Sequence, residues 1–184
     1  MAVPADYLLP RHSGSWTLDD VLALPEDNSQ RVELIDGSLI VSPLGTSHHQ
    51  ALIGDAYAAL RSACPPGHKA TVELNVALPS GVLLIPDFTV TKRPDFKGLL
   101  FPVEDLVLVG EVASPSTRFK DYGVKRQRYA EAGVPYYLVV DPKHAEVTAT
   151  LFELEAGEYV EAARSEAGVL KLDRPFPVTI ELSP

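Results

Sequence analysis

Cysteine is nearly absent from the chain: one residue, Cys64, in 184. A lone cysteine excludes an internal disulfide. A catalytic thiol would need an activating partner that the sequence does not supply, so Cys64 reads as a small apolar residue. Long hydrophobic runs are also missing, and no stretch approaches the length that spans a bilayer. Residues 1–10 lack a basic region followed by an apolar run, so they do not read as a signal peptide. Basic residues are scarce: 16 Lys and Arg stand against 25 Asp and Glu, a formal charge of -9. That balance excludes a protein whose whole surface grips nucleic acid, because phosphate contacts need a basic face. It leaves room for a local basic cleft, since the field depends on how charge is distributed. There is no repeat, low-complexity segment or linker. These absences set the expectation of a soluble, cytoplasmic protein with no membrane partner.

What is present is an ordinary globular composition. At 46% hydrophobic residues, the chain can bury a real core. We expect one domain over 1–184, with 1–15 as a loose N-terminal arm. Residues 16–24 read as a short helix with Thr17 as N-cap and Asp19 and Asp20 in its first turn, ended by Pro25. Residues 31–35 and 38–41 flank Asp36-Gly37, which is the strongest short signal for a hairpin. Residues 47–63 carry Leu52, Ile53, Ala56, Tyr57 and Leu60 at helical spacing. Residues 70–78 alternate, with Val72, Leu74, Val76 and Leu78 on one face of a half-buried strand. Residues 82–90 follow as a strand, apolar on both faces over 82–85; Pro86 belongs at a bulge or edge. Residues 92–102 read as a loop and 106–112 as a second central strand. A helix over 119–132 ends at Gly133, before an apolar strand at 136–140. Residues 147–154, 158–163 and 177–182 read as a peripheral antiparallel extension.

Two acidic residues in apolar surroundings need explaining. Asp87 follows four aliphatic residues and Pro86, and Glu111 sits between Gly110 and Val112. An unpaired buried carboxylate costs several kcal/mol or takes up a proton. Two of them on adjacent strand ends call for a cation, and hard divalent ions prefer oxygen ligands. After Glu111 comes the small-residue loop 113–117, which would let a phosphate approach the backbone. The helix beyond it carries Asp121, Lys125 and Tyr129 at four-residue spacing, along one side. Phe119, Tyr122, Arg126 and Tyr129 mark a neighbouring apolar stripe. Lys125 then lies at its flank, and Arg126, nearer its centre, is a rival for the basic role. Plainer readings stand beside these. Glu33 suits a cross-strand pair, Lys125 an ion pair with Asp121, and Asp36 turn chemistry. His48 and His49 suit capping or surface positions.

The segments Arg31-Val32-Glu33-Leu34-Ile35-Asp36-Gly37, Ser42-Pro43 with His49-Gln50, Pro86-Asp87, Glu111-Val112-Ala113-Ser114-Pro115-Ser116-Thr117, Asp121 with Lys125 and Tyr129, and Gly133-Val134-Pro135 through Val140-Asp141-Pro142 resemble the Uma2 family of endonucleases. Uma2 lies within the PD-(D/E)XK, or restriction-endonuclease-like, superfamily. The resemblance implies an α/β fold with a mixed central β-sheet flanked by helices, an N-terminal hairpin and a C-terminal antiparallel extension. It implies a metal-dependent endonuclease acting on DNA, with Mg²⁺ or Mn²⁺ as cofactor. Asp87, Glu111 and Lys125 would be catalytic, and Glu33, Asp87 and Glu111 would hold the metal, aided by the Val112 carbonyl. The superfamily usually places lysine two residues after the second acid. Ala113 stands there, and Lys125 matches the variant that supplies lysine from the following helix. His49 matches a family position without a chemical role attached. Cutting both strands of a duplex often uses two sites, so a homodimer is expected by analogy. A catalytically inactive binding or assembly protein retaining the fold is the alternative. The enzyme reading requires Glu33, Asp87, Glu111 and Lys125 to meet round one water-accessible pocket at the rim of the sheet.

Overall fold

The computed structural model describes residues 12–25, 30–43, 45–114, 118–142 and 147–182. Most of the expected N-terminal arm, and Pro115, Ser116 and Thr117 of the loop after Glu111, lie outside them. The main sheet has six strands: β3 (Lys69–Val72), β6 (Phe88–Thr91), β8 (Leu106–Val112), β9 (Tyr136–Asp141), β10 (Thr148–Glu155) and β11 (Glu158–Arg164). Their order is β11-β10-β9-β8-β6-β3. Only the β8–β9 pair within it is parallel. A parallel pair needs a crossover. Here it is a π-helical segment, Lys120–Lys125, continued by α3 (Arg126–Glu131). The carboxyl ends of β8 and β9 therefore share one edge with the segment that carries Lys125.

The smaller sheet has five strands: β1 (Gln30–Ile35), β2 (Ser38–Pro43), β4 (Val76–Ala77), β5 (Leu83–Leu84) and β7 (Phe101–Pro102), in the order β2-β1-β5-β4-β7. Asp36 and Gly37 both take positive φ, 49° and 75°, as the tight hairpin turn between β1 and β2 demands. Helix α1 (Leu18–Leu22) begins with the expected Thr17 cap, closed by Asp20 into a capping box. It packs Val21 against Leu34 and Leu83 of this sheet.

The long helix α2 (Ser47–Ala63) lies on one face of the main sheet beside a separate hairpin of β12 (Val169–Leu172) and β13 (Val178–Glu181). Leu52, Ile53, Ala56 and Leu60 of α2 meet Phe88, Leu108, Leu138 and Ile180 there. The other face packs Val109, Tyr137 and Val139 on Leu84, Phe101 and Tyr129. The site lies between the two sheets.

Four expectations need correction. Residues 92–102 are not all loop, since Phe101–Pro102 forms β7 of the smaller sheet. Residues 70–78 do not form one strand. Glu73 takes a positive φ of 52°, and the chain leaves the main sheet after β3 to join the smaller one at β4. Val72 is consequently 43% exposed although it continues the apolar alternation. Residues 82–90 likewise divide at Ile85-Pro86-Asp87 into β5 and β6, in different sheets. Pro86 lacks the N–H that a continuous ladder would use, and Asp87 leads into β6 rather than ending the strand before it. The segment 177–182 pairs with the unforeseen strand β12, not with the main-sheet extension.

A buried carboxylate cluster as candidate active site

The antiparallel register of β6 and β8 sets Phe88 opposite Gly110 and Thr89 opposite Val109. Asp87 stands at the bend just before β6, beside the end of β8 that carries Glu111. The backbone N–H of Val112 donates to Asp87 Oδ2 at 2.7 Å, which ties the first acid to the strand bearing the second. Gly110 makes this approach feasible, because a Cβ there would fall 1.9 Å from Cε2 of Phe88.

Lys125 reaches the acids from the crossover. Its Nζ lies 2.9 Å from Glu33 Oε1, 3.1 Å from Glu111 Oε1 and 3.9 Å from Asp121 Oδ1. Glu33 enters from β1 of the smaller sheet. Its Oε1 also accepts the Ile85 N–H at 2.9 Å, so it is fixed beside the Pro86-Asp87 corner. Tyr129 donates to Glu111 Oε1 at 3.4 Å, and Tyr137 anchors the π segment by donating to the Asp121 carbonyl at 2.7 Å. Asp121, Lys125 and Tyr129 thus form the packed side of the crossover. Phe119 and Tyr122, expected on the buried stripe, are exposed. The π turn explains this, since it adds a residue to the turn and rotates the preceding positions away from the 3.6-residue stripe. Arg126 is not a rival to Lys125. It covers the Phe152 ring and donates to the Tyr159 carbonyl.

Two polar residues missed by sequence reasoning complete the cluster. Arg31 donates through Nη1 to Asp87 Oδ1 at 2.7 Å. His49 Nε2 lies 3.0 Å from the Val112 carbonyl and 3.6 Å from Asp87 Oδ2. A carbonyl can only accept, so Nε2 carries the hydrogen. His49 Nδ1 is buried without a partner, and a Cβ on Gly45 would fall 2.4 Å from it. The expected capping role belongs to Thr46, whose hydroxyl accepts the His49 N–H. The only sequence signals were the family match at His49 and the position of Arg31 two residues before Glu33, on the same strand face.

Glu33, Asp87, Glu111, Asp121 and Lys125 are each no more than 3% exposed. The four named residues therefore converge as expected, but their side chains are buried rather than open to water. Burial raises the proton affinity of Glu111 well above the usual carboxylate range; Lys125 opposes the rise, and Asp87, Asp121 and Glu33 add to it. Burial works against the charge on Lys125, yet Glu111, Glu33 and Asp121 outweigh it and hold the ammonium firmly protonated. Arg31 is held charged in the same way, chiefly by Asp87 against its own burial. Elsewhere, Cys64 is half-buried at the end of α2, its thiol pushed up by burial, which fits an unreactive residue.

Among the described residues, no three Asp, Glu, His or Cys side chains form a ready-made metal cage. The donor chemistry nevertheless suits a hard divalent cation: carboxylate oxygens of Asp87 and Glu111 beside the Val112 carbonyl. Among the described residues Arg31 pairs with Asp87, and Lys125 with Glu33, Glu111 and Asp121.

The fold is a mixed α/β architecture with more than one sheet and few helices. It resembles the crystal structure of a putative nuclease belonging to DUF820 from Anabaena variabilis ATCC 29413, with a TM-score of 0.65 and 21% identity over 79% of this chain and 83% of that chain. At that identity the likeness concerns the fold alone. The family model described as "Uma2: Putative restriction endonuclease" matches residues 18–184, and the chain belongs to that family. No curated protein matches it. No helix among the described residues is long and apolar enough to cross a membrane.

Proposed function

We propose that the protein is a divalent-metal-dependent endonuclease that hydrolyses phosphodiester bonds in DNA. Family membership supports the nuclease class. The observation that carries the finer reading is the bond from the Val112 N–H to Asp87 at 2.7 Å, which places Asp87 beside the strand end bearing Glu111, with Lys125 Nζ 3.1 Å from Glu111. In this reading Asp87, Glu111 and the Val112 carbonyl hold Mg²⁺ or Mn²⁺, with Glu33 in support. The ion supplies an activated water and offsets charge on the phosphoryl oxygens. Lys125, protonated and fixed between Glu33 and Glu111, orients the attacking water or meets charge building on phosphorus. Its near-complete burial strengthens that interaction relative to bulk water. Two copies acting together would account for cutting both strands of a duplex.

The test is incubation of plasmid and single-stranded DNA with the purified protein and Mg²⁺ or Mn²⁺. Cleavage should appear, stop with EDTA, and vanish in Asp87→Ala and Lys125→Met. Folded wild-type protein that leaves every DNA substrate intact would sink the reading.

One observation favours a second reading, a binding or assembly protein that retained the nuclease fold. The acids are already buried and ion-paired, with Ala113 where the superfamily usually has its lysine. Calorimetry with Mn²⁺ separates the two, since metal binding lost in Glu111→Ala supports the enzyme.

A further inference from the structure

Arg31 connects the buried acids to the surface. Its Nη1 donates to Asp87 Oδ1 at 2.7 Å and its Nη2 to Glu73 Oε1 at 2.8 Å. The three side chains form a gradient of exposure: 2% for Asp87, 18% for Arg31 and 48% for Glu73. Backbone geometry fixes the outer partner. Glu73 sits at the break after β3 with φ 52°, and its N–H donates to the Asp87 carbonyl at 3.3 Å. Lys125 is placed differently. It is shared among Glu33, Glu111 and Asp121, so its departure would take one cation from three carboxylates at once. Arg31 holds only Asp87 within the cluster and has a second carboxylate waiting outside it.

A divalent ion on Asp87 would repel the guanidinium now bonded there. The same planar fork that fits a carboxylate also fits a phosphate. We propose that Arg31 is a phosphate-binding residue of this site: its guanidinium neutralises Asp87 until a divalent cation takes over that carboxylate, then, tethered to Glu73, turns to a phosphate of the substrate. The inference rests on the metal-dependent reading above. It gives the acidic protein a cation at the mouth of the site, released when the polyanion is to be bound.

The experiment titrates the full chain with Mn²⁺ by calorimetry in wild type, Arg31→Met, Glu73→Gln and the double variant. DNA binding is then measured with Ca²⁺ across a salt series. Arg31→Met should bind Mn²⁺ about tenfold more tightly, since a resident competitor for Asp87 is gone. It should bind DNA about tenfold more weakly and lower the salt slope by about one, the mark of one lost phosphate contact. Glu73→Gln removes the outer tether, leaves Arg31 on Asp87 and weakens Mn²⁺ binding severalfold, an effect that disappears in the double variant. Unchanged or weaker Mn²⁺ binding in Arg31→Met overturns the inference, as does an unchanged salt slope. Should Arg31→Met not fold, Glu73→Gln decides, and unaltered Mn²⁺ affinity there counts against it. Wild type that binds no Mn²⁺ removes the metal reading itself, a failure distinct from the others.

Discussion

Phe88 lies directly across the β6–β8 ladder from Gly110, so close that the ring occupies the space a side chain at 110 would need. Phe88 is fully buried and cannot swing away without disturbing the α2 face of the core. The contact therefore fixes the register of β6 against β8, next to the bend where Asp87 accepts the Val112 N–H. Gly110→Ala should cost about 3 kcal/mol through overpacking. Urea denaturation measures this, and a loss below about 1 kcal/mol would show that the ring does not hold the register.

Lys125 is the common partner of Glu33, Glu111 and Asp121. Lys125→Met keeps the stem but leaves buried carboxylates without their cation, a change of about 3–5 kcal/mol in metal-free protein. Adding Glu111→Gln to that variant removes one of the groups that Lys125 had paired with. The double variant should therefore be more stable than the two single losses summed, and a thermal-unfolding cycle reads the difference. Strict additivity would mean that Lys125 and Glu111 are not coupled.

Glu111 binds its proton more tightly in the folded protein than in the unfolded chain. Its contribution to stability is thus fully present below the ordinary glutamate pKa and is lost as pH rises through the elevated folded value. In EDTA, Glu111→Gln should gain stability over wild type as pH increases from about 4.5, by about 1.4 kcal/mol for each unit of elevation. Denaturation curves between pH 5 and 8 check this. A constant difference across that range would show that Glu111 is not proton-binding there.

Much of the fold could be read because local signals and tertiary packing agree. The Asp36-Gly37 hairpin, the α2 stripe, the apolar β8 and β9 strands and the Thr17 cap are of this kind. The two strand breaks were hidden for a physical reason. Val72, Leu74, Val76 and Leu78 keep alternating while the chain changes sheets, and alternation reports a period, not a partner. The π segment defeated the stripe argument because its turn differs from the one assumed. Asp87, Glu111 and Lys125 stood out from their neighbours and spacing, with their roles and that of Glu33 implied by family resemblance, and the convergence depends on four separate segments. Arg31 and His49 bond to groups 56 and 63 residues away, at Asp87 and Val112, and no local pattern announces such contacts.

The three candidate metal acids are not equivalent. Glu33 Oε1 already accepts the Ile85 N–H and contacts Lys125, so its role is chiefly to hold the ammonium and the corner before β6. Asp87 is bonded to the Val112 N–H and to Arg31, and Glu111, one residue before Val112, to Lys125 and Tyr129, so both lie next to the proposed carbonyl ligand. Saturating Mn²⁺ should therefore stabilise wild type by about 2.7 kcal/mol at a hundred times its Kd. Asp87→Ala and Glu111→Ala should abolish that gain, whereas Glu33→Gln should keep part of it. Thermal shift with and without Mn²⁺ makes the comparison. Equal loss in all three variants would place Glu33 among the direct ligands, and full retention in Glu111→Ala would move the ion away from β8.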